Sequence, residues 1–363
     1  MFVAFEIILG FCFLIVGAEL LVRGSSRLAL AVGISPLVVG LTVVAFGTSA
    51  PEFAVSMKAS MAGQADLALG NAVGSNIFNV LLILGVSALI APLSISRQLV
   101  RLDVPVMIAV SSLLWILSAN GNLSRTEGLF FVAGIVLYTA FLIFLGRRSK
   151  DNAEQPTDLT KQSGPEHRHN RLTIPLLILG GLGALMLGAR LLVTGSVALA
   201  RLLGVGELVI GLTIIAAGTS LPEVATSVVA SIRGQRDIAV GNVVGSNIFN
   251  ILCVLGAAAT ASKAGIAVTT PALKFDIPVM TAAAIACLPV FFTGSRISRG
   301  EGVLFLGYYA AYIIYLIWMI RRPIEMENLG RVLWWYVIPL TAIVLIISVV
   351  LSFRKRREEK TLT

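Results

Sequence analysis

The sequence predicts an all-α polytopic membrane protein: two five-helix halves related as an inverted-topology repeat, then an extra C-terminal transmembrane helix. Three observations predict it. Apolar residues make up 57% of the 363 and charged residues only 13%, and the mean hydropathy of +0.92 is too high for a water-soluble domain. The charges cluster between apolar runs of about 20 residues, the length that crosses a hydrocarbon core. A 49-residue stretch, Leu37 to Gly85, recurs without gaps as Leu208 to Gly256, with 31 of 49 positions identical.

Eleven spans are expected, at roughly 3–23, 36–60, 66–90, 99–118, 126–146, 173–195, 207–232, 237–261, 273–293, 300–320 and 333–352. The opening Met-Phe-Val-Ala-Phe has no positive n-region and no small-residue cleavage site, so it reads as a retained first helix. Residues 1–146 form the first half and 173–322 the second. Residues 147–172 form a polar cytoplasmic linker, and 323–363 hold the last helix and a basic tail, Arg354 to Arg357. Ser124-x-x-Glu127 and Ser298-x-x-Glu301 have the form of capping boxes and should start the fifth and tenth spans. Asp103-Val-Pro-Val-Met and Asp276-Ile-Pro-Val-Met extend the repeat downstream.

Each half holds five spans, an odd number, so the second copy enters the membrane from the opposite side. Such repeats characterise secondary transporters, whose site lies at the repeat interface near the midplane. Loops after odd-numbered spans, with the C-terminal tail, carry 19 of the 28 Lys and Arg. The positive-inside rule then places the N-terminus outside and the linker and C-terminus in the cytoplasm. That bias also explains the basic balance without a nucleic-acid partner. No obligate protein partner and no cofactor are indicated; the bilayer is the partner implied.

Other polar and reactive residues carry less. Cys12, Cys253 and Cys287 lie in apolar spans without ligand spacing and read as packing residues. His167 and His169 sit in the linker and read as solvated. Glu19 and Arg23 form an i,i+4 pair near the end of span one, and the repeat equivalent of Glu19 is Arg190. Both positions read as snorkelling helix ends.

Two motifs carry the chemistry. Gly47-Thr-Ser-Ala-Pro-Glu52 recurs as Gly218-Thr-Ser-Leu-Pro-Glu223, each in the middle of an apolar span. A carboxylate at that depth lines a cavity or meets a cation. Pro51 and Pro222 remove a backbone donor and free carbonyls within the helix. Thr48 and Glu52 share a helix face, as do Thr219 and Glu223, so carboxylate, hydroxyl and carbonyl oxygens converge, the ligands of hard cations. The second motif, Gly70-Asn-Ala-Val-Gly-Ser-Asn-Ile-Phe-Asn79, recurs as Gly241-Asn-Val-Val-Gly-Ser-Asn-Ile-Phe-Asn250. Ser75 and Asn79, and Ser246 and Asn250, add neutral oxygens. For Asn71, Asn242, Asn76 and Asn247 packing and ligation both remain open.

These residues resemble the two α-repeat signatures of the calcium/cation antiporter superfamily, and within it the prokaryotic sodium/calcium exchangers. The resemblance covers about residues 1–322. It implies ten core helices, ions held among helices two, three, seven and eight, and alternating access by sliding of helices one and six. It implies that Glu52 and Glu223, with the backbone carbonyls of Thr48 and Thr219, bind Ca²⁺. Ser49, Ser75, Ser220 and Ser246 side chains and the carbonyls of Ala45 and Ala216 would complete Na⁺ sites, with Asn79 and Asn250 at the centre. Some family members hold an aspartate at one of these last two positions; two carboxylates therefore remain, a charge that suits one Ca²⁺. Antiport of Ca²⁺ for Na⁺ across the cytoplasmic membrane is the function this implies. Proton coupling is its alternative, and a passive cation channel a weaker one. The chain holds no H-E-x-x-H motif, no Walker motif and no nucleophile–base pair, so it does not read as an enzyme or a primary pump.

The orientation is testable alone. A cysteine introduced at 150–165 should react with an impermeant thiol reagent only from the cytoplasmic side; labelling from outside intact cells would invert the topology.

Overall fold

The computed structural model describes residues 2–151, 172–204, 214, 216–292 and 296–321. Expectations for most of the linker, including His167 and His169, for the first part of the seventh span, and for the eleventh span with its basic tail lie outside the described residues. Within them the apolar runs form α1 (Val3–Val32), α2 (Pro36–Thr48), α3 (Ala50–Met61), α4 (Asp66–Ile90), α5 (Leu99–Asn120) and α6 (Arg125–Gly146). The second half gives α7 (Thr173–Leu202), α8 (Leu221–Ile232), α9 (Arg236–Ala261), α10 (Ala272–Phe292) and α11 (Arg299–Met319). Among the described residues, eight of these are long and apolar enough to span a bilayer. The pair α2–α3, bent by 46°, makes a ninth span. The chain is a polytopic all-α membrane protein.

The helix starts follow local rules. Glu127 accepts the Ser124 N–H at 2.7 Å while its own N–H reaches back to the Ser124 hydroxyl at 3.4 Å. Glu301 and Ser298 repeat the arrangement at 2.7 and 3.4 Å, so both capping boxes start helices as the spacing required. Two boundaries differ. The first and sixth spans run to Val32 and Leu202, past the expected 23 and 195. Polar residues such as Arg23 and Ser25 do not end a helix whose backbone is already propagating. At 1.5 Å per residue the 30 residues of α1 reach roughly 45 Å, beyond a hydrocarbon core of about 30 Å.

Helices α1 and α7 are joined by glycines. Gly10, Gly17 and Gly24 recur every seven residues, as do Gly181, Gly188 and Gly195, so each set lies on one face. A Cβ on Gly17 would lie 2.7 Å from the Leu185 nitrogen and 2.8 Å from the Gly181 oxygen. Gly10 meets Leu192 and Gly24 meets Ile178. Partner numbers fall as glycine numbers rise, so α7 runs antiparallel to α1 and the halves are inverted. With no hydrophobic drive between helices in lipid, this close backbone approach is what gains van der Waals contact.

The halves are also stitched at the membrane faces. The two-residue strands β1 (Leu93–Ser94) and β2 (Asn122–Leu123) belong to the first half. The strands β3 (Ile266–Ala267) and β4 (Arg296–Ile297) belong to the second. β1 pairs antiparallel with β4 and β2 with β3, so each pair crosses between halves. Inside, α4 and α9 have 72% and 94% of their spanning windows buried, against 17% for α6 and α11. The second motif of each half therefore lies on the innermost helices. Buried Asp103 accepts the Tyr138 hydroxyl at 2.9 Å, and Asp276 accepts Tyr312 at 3.0 Å, tying α5 to α6 and α10 to α11.

Of the cysteines, Cys287 is buried as expected of a packing residue, Cys253 is half-buried, and Cys12 is exposed on α1. Reading every apolar-span cysteine as packed fails for Cys12, because a helix at the bundle edge presents one face to lipid.

Substituting Gly17 by Leu should destabilise the protein by about 1–3 kcal/mol, because backbone on the partner helix cannot move aside as a flexible side chain would. Gly183 has no described atom within 4 Å of its Cβ position, so Gly183→Ala should leave stability unchanged. Thermal unfolding in detergent compares the two; equal midpoints would remove the glycine contact from the account.

Candidate ion site at the repeat interface

Each half breaks a helix at the first motif. Pro51 and Pro222 lie in the first turns of α3 and α8, where a missing N–H is tolerated. Across the first break Ser49 N–H still reaches the Ala45 carbonyl at 3.0 Å and Phe53 N–H reaches Ser49 at 3.0 Å. Across the second, Val224 N–H reaches Ser220 at 3.1 Å. Among the described residues, no backbone bond from Glu52 closes on Thr48, or from Glu223 on Thr219. The two threonine carbonyls thus lack these ladder bonds, while the prolines themselves remove the donors for the carbonyls four residues earlier, Gly47 and Gly218.

Glu52 and Glu223 are both fully buried. The Ser220 hydroxyl donates to Glu52 Oε1 at 2.8 Å, and the Ser49 hydroxyl donates to Glu223 Oε1 at 3.0 Å. Each carboxylate is therefore held by the serine of the opposite half. The Oε2 atoms of both are buried without a hydrogen-bond partner. Ser220 also contacts the Ser75 hydroxyl at 3.1 Å.

Asparagines brace this pair. Asn242 Nδ2 donates to the Ser227 hydroxyl at 3.0 Å and lies 3.5 Å from the Glu223 carbonyl, while its Oδ1 accepts the Thr48 hydroxyl at 3.0 Å. Asn71 does the same with Ser56 at 2.9 Å, the Glu52 carbonyl at 3.1 Å and the Thr219 hydroxyl at 3.4 Å. For these two asparagines the choice between packing and ligation falls to packing, since both ends of each amide are occupied. The threonine hydroxyls are occupied too. Ser56 and Ser227 were not singled out in the sequence. Their place four residues after Glu52 and Glu223, on the same helix face, was the signal that could have found them.

The second motif supplies the rest. Asn79 and Asn250 stand at the start of π-helical turns, Phe78–Ile83 and Asn250–Leu255, whose wider winding re-aims side chains inside α4 and α9. Both residues are buried, and Asn79 Oδ1, Asn250 Oδ1 and Ser246 Oγ have no hydrogen-bond partner. With the two Oε2 atoms, these five buried oxygens carry desolvation that nothing in the protein offsets. A hard cation offsets it, and the donors suit one: among the described residues no three His, Cys, Asp or Glu side chains gather, so neutral oxygens must complete any shell. The Ala45 carbonyl lies beside the site but already accepts Ser49 N–H. Ala216 opens the short helical turn Ala216–Gly218.

Glu19 departs from its reading as a helix-end residue. Because α1 continues to Val32, Glu19 lies well inside it, paired with Arg23 and, at 2.8 Å, with Arg233 at the end of α8. Its repeat equivalent Arg190 is exposed. A long-range partner such as Arg233 leaves no trace in the local spacing. The surroundings of α1 and α7 also differ: α1 lies along α8, whereas α7 makes no comparable run of contacts with α3.

Comparison with known proteins places this architecture. The sequence model described as sodium/calcium exchanger protein matches residues 2–144 and 173–318. The chain is 38% identical over 309 residues to a putative antiporter, CaxA, of Alkalimonas amylolytica, covering 84% of this chain and 96% of that protein. It is 37% identical to the inner membrane protein YrbG of Escherichia coli, covering 88% and 98%. It is 34% identical to the sodium/calcium exchanger MaX1 of Methanosarcina acetivorans, covering 86% and 98%. Among solved structures, the sodium-calcium exchanger NCX_Mj superposes with a TM-score of 0.74 at 28% identity, covering 87% of this chain and 99% of that one.

Proposed function

The chain belongs to the sodium/calcium exchanger protein family, and on that premise we propose that it exchanges Ca²⁺ for Na⁺ across the cytoplasmic membrane by alternating access. As a member it is an antiporter, not an enzyme. Glu52 and Glu223 are the charged ligands in this reading. The carbonyls of Thr48 and Thr219 complete the Ca²⁺ shell. Ser49, Ser75, Ser220, Ser246, Asn79, Asn250 and the carbonyls of Ala45 and Ala216 serve Na⁺. The N-terminus is outside, with the 147–172 linker and C-terminus in the cytoplasm.

One observation carries the reading: two buried carboxylates, each with one oxygen held by the opposite half and the other unpartnered. Two negative charges in a low-dielectric bundle repel each other and lack solvent, so the empty, ionised site is strongly disfavoured. One Ca²⁺ neutralises the pair. Several Na⁺, spread over carboxylate and hydroxyl oxygens, neutralise it as well. Because the empty site resists passage through the occluded state, movement requires a loaded site, and that requirement is what makes transport an exchange. The number of neutral oxygens favours Na⁺ over H⁺ as the coupling ion, since protonating two glutamates needs none of them.

The moving element in this reading is the α1–α7 pair. The glycine seam lets the two helices travel as one body. The packing of α1 along α8, without a match between α7 and α3, supports a conformation closed on one face and open on the other.

Glu52→Gln and Glu223→Gln should each abolish Ca²⁺ uptake into proteoliposomes while the protein still folds, because one charge no longer balances the dication. Normal uptake by either variant would remove that residue from the site.

Coupling is checked separately with Ca²⁺-loaded vesicles at fixed pH, the potential clamped by valinomycin and K⁺. External Na⁺ should drive Ca²⁺ efflux, at a rate that depends on voltage. Efflux that follows a pH gradient and ignores Na⁺ would replace Na⁺ by H⁺; Na⁺-driven efflux indifferent to voltage would make the exchange electroneutral.

A further inference from the structure

The central amides of the two halves are not equivalent, and the difference has a direction that hydrogen-bond chemistry dictates. A backbone carbonyl only accepts. The Asn247 carbonyl receives Asn76 Nδ2 at 3.1 Å, with the Met280 sulfur 3.5 Å from the same nitrogen. Turning the Asn76 amide over would set its Oδ1 against that carbonyl oxygen and the thioether, neither of which donates. Asn76 Oδ1 must therefore face the other way, where it accepts Asn250 Nδ2 at 3.1 Å. Asn250 in turn has its amino group committed and its Oδ1 left buried and unpartnered. A chain of two hydrogen bonds, anchored on one backbone carbonyl, thus sets which end of the Asn250 amide is free.

The other half does not copy this chain. Asn247, the repeat equivalent of Asn76, turns its Nδ2 to the Val243 carbonyl of its own helix at 2.8 Å. Asn79, the equivalent of Asn250, has both amide atoms without a partner. The π-turn that carries Asn250 packs against α3, whose first turn holds Glu52. An amide that nothing holds can present its amino group, whose partial positive charge repels a cation. A held amide presents oxygen in advance, with no reorganisation on binding.

We propose that Asn76 is a positioning residue: it fixes the Asn250 amide so that Oδ1 is offered to the transported cation, making Asn250 and not Asn79 the preset central ligand. The proposal rests on the reading that ions bind between Glu52 and Glu223. It gives Asn76 neither of the roles its motif suggested, ligand or packing, but the orientation of a ligand in the opposite half.

The test is Ca²⁺ uptake by the full chain in proteoliposomes. Asn76→Ala and Asn250→Ala should each raise the apparent KM for Ca²⁺ by about fivefold, the effect of one preset buried hydrogen bond, with the maximal rate within about twofold. The double variant should be no worse than Asn250→Ala, since Asn76 acts only through it. In an Asn250→Asp background, where either orientation offers oxygen, Asn76→Ala should leave KM unchanged or lower it. A purely structural Asn76 would cost the same in every background. Asn76→Ser replaces the alanine variant if the latter does not fold. Additive losses in the double variant, an equal penalty in the Asn250→Asp background, or a larger KM increase from Asn79→Ala than from Asn250→Ala would each overturn the proposal. The Glu52→Gln and Glu223→Gln variants separate the two levels. If they transport normally, the ion site itself is wrong. If they are inactive while Asn76→Ala and Asn250→Ala add, only the positioning role fails.

Discussion

Two carboxylates buried in one low-dielectric bundle are the constraint on which this structure turns. Glu52 and Glu223 are each desolvated, and each keeps one oxygen by accepting a hydroxyl from the opposite half. Neither glutamate bonds the serine of its own motif. The fold must therefore bring the two first motifs face to face, and it does so with an inverted repeat whose broken helices meet near the middle. The prolines open the ladder there, and Asn71 and Asn242 clamp the opened turns by bonding a serine one helical turn beyond each glutamate. Close approach of the helices follows from glycine: a Cβ on Gly245 would lie 2.6 Å from the Leu41 carbonyl.

Much of this was legible in the residues. The duplicated motifs identified both glutamates, the odd helix count gave inversion, and the Ser-x-x-Glu spacing marked two helix starts. These signals are local: they depend on periodicity and on side chains within one turn. What was not legible is the pairing across the interface. Asn71 is chemically suited to either threonine, and only the assembled bundle gives it Thr219. Likewise Asn76 and Asn247 are identical in motif and neighbours, yet one crosses to the other half and the other bonds its own helix. The π-helical turns were also hidden, because their extra residue alters winding without altering the apolar pattern. The ends of α1 and α7 were misplaced for a related reason. A charged residue in a helix reads as the membrane boundary, but a helix is free to continue past the hydrocarbon core.

The Asp103–Tyr138 and Asp276–Tyr312 pairs show the same separation of levels. The sequence repeat aligns the aspartates; the tyrosines that donate to them lie on the following helix, 35 and 36 residues further along the chain. Half-buried Asp276 is bonded through Oδ1, whereas buried Asp103 has both oxygens bonded, Oδ1 by Tyr138 and Oδ2 by the Gln98 amide at 3.2 Å. Asp103 differs in that respect from Glu52 and Glu223, whose Oε2 atoms remain without partners.

Two identical halves arranged head to tail would possess, for every conformation, a twin of equal energy obtained by exchanging the halves' roles. The ion pair between Glu19 and Arg233 has no twin, because the corresponding positions hold Arg190 and Ala62. This pair, together with differences such as that between Asn76 and Asn247, therefore lifts the degeneracy that duplication creates. An exposed pair contributes at most about 1 kcal/mol, yet that is enough to skew two otherwise matched populations about fivefold. In the proposed alternating-access cycle, divergence of two outlying positions after duplication would bias the resting state while Glu52 and Glu223 stay matched between the halves.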